Sequence, residues 1–256
     1  EGVQRLQDLV QKYPRSRYIA ETHLALGEYY FETDSLFYAK TNYEKIIHNF
    51  AKSPMYNYAL YKLGWVYFNL TEFEKTIEVF HKVIAAIGKG AARARVEFRS
   101  QALNDLIVAY AEVDNGWQDA RTYFLREVGE EDTYVKLEKM AALLVSKEKA
   151  DEAVALYRHL IDHTPMDTKV LEFFSAIDEV YRSLGDEVAL EALINQYVDY
   201  FDPRDKWYAA NKSDAKSIKT ADEMRATGLQ SPFYLERDGQ ERAVFSCNYQ
   251  TLRVLT

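Results

Sequence analysis

The chain has 256 residues and carries 32 lysines and arginines against 40 aspartates and glutamates, a net charge of −8. That balance argues against a general nucleic-acid binder, whose surface is basic, and the length allows one large domain or two small ones. The single cysteine, Cys247, excludes an intramolecular disulfide and a cysteine-built zinc site, and no apolar run is long enough to span a membrane.

Ten glycines and five prolines are few for this length, which favours helices over an all-β or loop-rich fold. Large rings are abundant, so they must pack, bind or do both. The chain opens at Glu1 without a methionine or signal peptide, which reads as a processed or trimmed protein. Whether a leader or lipid anchor was removed stays open.

From the N-terminus onward, the first hundred or so residues align with themselves at an offset of 37. Tyr13 and Ser16 in "YPRSRY" match Phe50 and Ser53 in "FAKSPMY", and "LALGEYYF" (24–31) matches "YKLGWVYF" (61–68). "YEKII" (43–47) then matches "FHKVI" (80–84). A period in this range predicts stacked helical hairpins. In each unit the first helix ends near residues 32–34 or 71–72, and the second starts near Phe37 or Phe73. Gly27 and Gly64 let the paired helix approach closely, since a side chain there would hold the backbones apart.

Further along, "SQALNDLIVAYAEVDNGWQDARTYF" (100–124) gives a third copy, with Ile107 in the glycine position and one extra residue in its turn. A fourth places Leu137, Met140, Ala141 and Leu144 on its first helix, Ala153, Tyr157 and Leu160 on its second, and Pro165 after it. A fifth, degenerate pair runs through 171–201. Residues 202–228 read as a turn followed by a polar, solubilising capping helix. Residues 229–256 carry a Ser-Pro break, an Asp-Gly turn signal and a β-leaning end. They read equally as an added hairpin, a capping extension or a segment belonging to another context.

These Leu-Gly, Tyr, Ala and aromatic positions resemble the tetratricopeptide repeat over residues 3 to 201, best in repeats one, two and four. Repeat one matches with Leu26, Gly27, Tyr30, Ala39, Tyr43 and Ile46; repeat two departs by placing Thr76 where a small alanine is usual. The resemblance implies an all-α fold, a right-handed α-α solenoid of about five helix pairs with a C-terminal extension. The "YP-x-S-x-Y" and "LG-x-x-Y" phrasing is similar to bacterial cell-envelope repeat proteins of the outer-membrane assembly lipoprotein and periplasmic division-coordinator types. It implies a periplasmic or outer-membrane-associated location, with the cytoplasm as the alternative.

The stretch "YALYKLGWVYF" (58–68) has two apolar faces. At about 100° per residue, Leu60, Leu63, Gly64 and Tyr67 share one arc. Tyr58, Tyr61, Trp65 and Phe68 share the opposite arc, interrupted only by Lys62 and Asn69. In tetratricopeptide arrays the first helix of each pair lines the concave surface, so the second arc is the expected groove. Repeat one contributes Glu21, Leu24, Glu28 and Phe31 to the same side, and repeat three Gln101, Asn104, Val108 and Ala111. Such a groove suits a peptide or helix with apolar anchors, and a basic residue near Glu21 or Glu28. Packing against neighbouring repeats and a self-docked C-terminal tail remain the other fates of these rings. An exposed cluster of this size favours a partner.

The remaining motifs carry less. "GKGAARARVEFR" (88–99) sets Lys89, Arg93, Arg95 and Arg99 against Glu97 alone; it reads as a solvated helix start, an exposed extension or a contact for acidic partners. It is no phosphate loop, because no strand precedes it and no Gly-Lys-Ser/Thr follows. His159 and His163 in "HLIDH" have zinc-ligand spacing but lack a third ligand and the glutamate of a metalloprotease motif. His23, His48 and His81 are scattered, and Glu130, Glu131 and Asp132 suit a helix start. "NLT" (69–71) and "NKS" (211–213) match glycosylation acceptors, which carry no meaning in a bacterial host.

The expected function is therefore a non-catalytic scaffold that binds a protein segment in its groove, without metal or cofactor and without nucleic acid or a transmembrane segment. A self-assembling solenoid module and the non-catalytic part of a larger enzyme or sensor are the alternatives. Partner identity and oligomeric state are not legible here.

Overall fold

The computed structural model describes residues 1–88 and 93–231. Among the described residues there are thirteen helices and no strand, so the fold is all-α. The chain divides into two compact units, residues 1–140 and 141–256. The expected domain boundary at residue 201 is a different division, and most of the 229–256 extension lies outside the described residues.

The first unit holds α1 (Gly2–Lys12), α2 (Ile19–Glu32), α3 (Leu36–Asn49), α4 (Tyr56–Asn69), α5 (Phe73–Ile87), α6 (Arg93–Tyr110) and α7 (Gly116–Glu127). Each helix packs on the next from α1 to α7, with the α3–α4 contact joining repeat one to repeat two. That contact buries Ala39, Tyr43, Ile46, Ala59, Leu63 and Val66. Glycine decides how closely the hairpins close. An added β-carbon on Gly27 would meet Cε1 of Tyr43 at 2.6 Å, and one on Gly64 would meet Cε1 of Phe80 at 2.7 Å. Both partner rings are fully buried, so neither can move aside.

The chain runs on through α8 (Glu130–Ser146), and the second unit adds α9 (Ala150–His163), α10 (Val170–Leu184), α11 (Glu187–Tyr200), α12 (Lys206–Asn211) and α13 (Ala215–Leu229). The helix read as a polar cap has an apolar foundation. Trp207 is buried against Phe201 with ring centroids 4.8 Å apart, and its Nε1 donates to the Asp167 carbonyl at 2.9 Å. Arg225 on α13 donates to the Val198 carbonyl at 3.1 Å and to Asp202 at 3.0 Å. Nothing in the polar sequence around Trp207 marks it as an anchor except the ring itself.

The turns repeat as regularly as the helices. Every hairpin contains one residue with left-handed backbone: Asp34 (φ 55°), Thr71 (φ 58°), Asn115 (φ 54°), Glu148 (φ 59°) and Gly185 (φ 66°). In four of the five, the amide that follows reaches back to a carbonyl of the helix just ended: Ser35 to Tyr30, Glu72 to Tyr67, Lys149 to Leu144 and Asp186 to Tyr181. This closes the orphan carbonyls of the last turn and sets the reversal. The third hairpin, with its extra turn residue, uses a different closure in which the Gly116 amide bonds to Val113. A β-carbon on Gly116 would fall 2.1 Å from the Tyr110 carbonyl oxygen, so this turn requires glycine.

Between repeats a second local device recurs. The side chains of Ser16, Ser53, Asp167 and Asp202 each accept from the backbone amide two residues on. The "YP-x-S-x-Y" phrasing is thus the sequence form of a side-chain-closed turn. Thr76, the departure from alanine, is fully buried, and its hydroxyl returns to the Glu72 carbonyl at 3.1 Å. A threonine fits there because its polar atom is satisfied within its own helix.

Candidate functional site

The ring-rich face of α4 opens into a cleft of about 1120 Å³ in the first unit. Its floor is Tyr58, Tyr61 and Trp65 from α4 with Phe98 from α6; Phe31 at the end of α2 and the loop 51–54 close its sides. Rings meet edge to face across the floor: Tyr61 to Phe98 at 5.2 Å, Tyr61 to Trp65 at 6.5 Å and Trp65 to Phe68 at 5.3 Å. These are the preferred geometries of a packed aromatic wall.

α6 makes this cleft possible. It is 18 residues long, whereas the corresponding α2 and α4 have 14 each, and the surplus lies at its N-terminal end. The overhang carries Arg95 and Phe98 to the rim. The basic stretch read before α6 is thus divided in role. Arg99 pairs with Glu127 of α7 at 2.9 Å and fastens the overhang, and Arg95 lines the cleft. Lys89 and the Arg93 side chain lie outside the described residues.

Of the expected groove residues, Phe31, Tyr58, Tyr61, Trp65 and Gln101 come together around this space. Tyr58 is 37% exposed and its hydroxyl donates to Glu28 at 3.0 Å, which brings Glu28 to the edge of the site. Tyr61 is only 7% exposed. Its hydroxyl donates to Asp105 at 2.7 Å and accepts from Gln101 at 2.9 Å. Burial, and then the Asp105 carboxylate, push the Tyr61 phenol up to about 12, and burial also raises the Asp105 carboxyl. Tyr61 is therefore a fixed and largely covered part of the floor.

The other expected positions lie elsewhere. Leu24 packs against the α3–α4 core, and Phe68 sits behind Trp65 against Phe73 at 5.5 Å. Asn104 accepts from Lys136 at 3.3 Å, away from the cleft lining. Asn69 is exposed at the end of α4. Glu21 lines a smaller neighbouring cleft of about 560 Å³ with Arg17 and Lys52, on the far side of the loop 51–54. Leu60, Leu63 and Gly64 are buried as the helical wheel required.

Sequence reasoning missed Lys52 and Phe98 as site residues, and named Arg95 only within a stretch that could be a solvated helix start, an extension or a contact for acidic partners. The signal for Arg95 and Phe98 was the surplus length between repeats two and three, which lengthens one helix and adds a wall, whereas nothing marked Lys52 in the loop before α4. Lys62, read only as an interruption, lies over the Phe31 ring at 4.5 Å and over the Tyr58 ring at 6.0 Å. The cation thus joins the aromatic surface and does not break it.

A tetratricopeptide-repeat family model matches residues 58–86, the α4–α5 hairpin that carries the floor. That segment is similar to a single tetratricopeptide repeat. The repeat suggests a scaffold for protein–protein interaction. Among solved structures, MamA protein is 17% identical with a TM-score of 0.41, covering 84% of this chain and 96% of its own. A tetratricopeptide repeat protein from Parabacteroides merdae is 15% identical with a TM-score of 0.38, covering 89% of this chain and 91% of its own. No curated protein matches the sequence. Among the described residues no three potential ligands gather into a metal site, His159 and His163 included, and no helix is long and apolar enough to cross a membrane.

Proposed function

We propose that this chain is a non-catalytic scaffold that captures a segment of a partner protein in the cleft beside α4. One observation carries the reading. An aromatic floor of Tyr58, Trp65 and Phe98 stays open to a space of about 1120 Å³, although each hairpin beneath it is closely packed. Anchors of this kind dominate the energetics of protein interfaces. The setting we propose is a bacterial envelope assembly, on the strength of the "YP-x-S-x-Y" phrasing of the first repeats.

A photo-crosslinking residue placed at Tyr58 in the native cell tests this, with the same residue at the 81% exposed Val188 as control. Expected is a discrete partner adduct at Tyr58, lost in a Trp65→Ala background whose helicity and melting are unchanged. Equal adducts at both sites, or adducts indifferent to Trp65, defeat the proposal. Cross-linking only to itself would favour the self-assembling module. Cell fractionation of the native protein separates an envelope from a cytoplasmic location.

A further inference from the structure

The lining of the cleft also says what chemistry enters it, an inference that rests on the scaffold reading above. Lys52, Lys62 and Arg95 face the space, and no aspartate or glutamate lines it. This is a cationic spot on a chain of net charge −8. The two carboxylates nearest its tyrosines are engaged, Glu28 by Tyr58 and Asp105 by Tyr61. Arg99 is neutralised by Glu127, whereas neither Lys52 nor Arg95 has a carboxylate partner among the described residues.

Three cations against the single Glu28 carboxylate at the edge leave a surplus of positive charge at the mouth of a partly desolvated cleft, which selects for an opposite charge, because like-charged segments are repelled before they dock. The aromatic floor selects separately for a large apolar side chain. Neither requirement is met by a basic or a purely polar segment. The loop 51–54 separates this cleft from the smaller one, which shares Lys52 and adds Arg17 with Glu21 beside it.

We propose that the occupant is an acidic, extended segment of a partner protein, with an aromatic or large aliphatic side chain against Trp65 and Phe98 and aspartate or glutamate flanking it toward Lys52 and Arg95. The segment must carry both features together, since the cations alone are exposed and salt-screened.

The test uses the whole chain and a displayed library of short random peptides, selected in parallel on wild type and on Trp65→Ala. Expected are peptides that depend on Trp65 and are enriched both in acidic residues and in at least one aromatic or leucine. A synthetic peptide of the enriched sequence should then lose about tenfold or more in affinity on Lys52→Glu with Arg95→Glu. It should also weaken as salt rises, while Lys52→Gln with Arg95→Gln loses less. Enrichment of neutral or basic peptides that still depend on Trp65 leaves the scaffold reading standing and overturns the charge assignment. Absence of any Trp65-dependent peptide overturns both. Concentration-dependent dimerisation abolished by the same charge reversal would place a second copy in the cleft and overturn the peptide assignment.

Discussion

A β-carbon added to Gly64 would fall 2.7 Å from Cε1 of Phe80, inside any distance two carbons tolerate. The same relationship, at 2.6 Å, holds between Gly27 and Tyr43 one repeat earlier. Gly64→Ala should therefore destabilise the first unit by about 1–3 kcal/mol through overpacking, despite alanine's better helix propensity. Denaturant melts would show it, and Gly64→Ala with Phe80→Leu should recover part of the loss. Equal stability of wild type and Gly64→Ala would mean that the hairpins are looser than described.

The Tyr43 hydroxyl is fully buried without a hydrogen-bond partner, and burial pushes its phenol far above the ordinary tyrosine range. Repeat two already holds phenylalanine, Phe80, at the corresponding place. Tyr43→Phe removes an unsatisfied polar atom and should leave stability unchanged or raise it by up to about 1 kcal/mol. A clear loss on chemical denaturation would show that the hydroxyl is satisfied.

Thr71 holds a left-handed backbone at φ 58°, a conformation that crowds a β-branched side chain. Thr71→Gly should gain about 0.5–1 kcal/mol, the relief of strain exceeding the added freedom of the unfolded chain. Gly185, with φ 66°, is the natural counterpart, and Gly185→Ala should lose about 1 kcal/mol. Thermal melts in which both changes move stability the same way would contradict the turn assignment.

His81 stacks on Tyr123 at 3.8 Å and its Nε2 lies 3.0 Å from the Tyr110 hydroxyl. Burial first, and then the Arg126 charge, lower its pKa to about 4, with Glu127 opposing. The folded state therefore keeps the ring neutral where the unfolded chain, near 6.5, takes up a proton. Stability is complete above pH 6.5 and falls as pH drops toward 4. Because the ring is only partly shielded from solvent, the loss should be about 1–2 kcal/mol, below the full linkage value. His23, lowered in the same direction by burial, adds to it. His81→Phe should keep the stack and flatten the profile across this window. An unchanged pH profile in that variant would remove His81 from the account.

The repeat architecture was legible because the residues that close each hairpin are unlike their neighbours. Glycine opposite a ring, and serine three residues after an aromatic, recur at fixed spacing in the first two repeats and survive in a single sequence. The inward arc of α4 followed from helical geometry alone. The outward arc was only half legible: periodicity says which way a side chain points but not how far the next helix reaches over it. The overhang of α6 covers Tyr61 and leaves Tyr58 open, and no property of residues 58–68 foretells that difference. Trp207 was hidden for a similar reason. A lone ring among polar residues shows its role only when Asp167 and Phe201, distant in the chain, come beside it.

The lengthened start of α6 has an evolutionary corollary. Arg95 lies outside the glycine–ring contacts and the side-chain-closed turns that hold the first two hairpins together. Substitutions at the tip of that helix can retune what docks beside α4 while the stack beneath keeps its stability. Relatives that share the hairpins and differ in this overhang should thus differ in their choice of ligand.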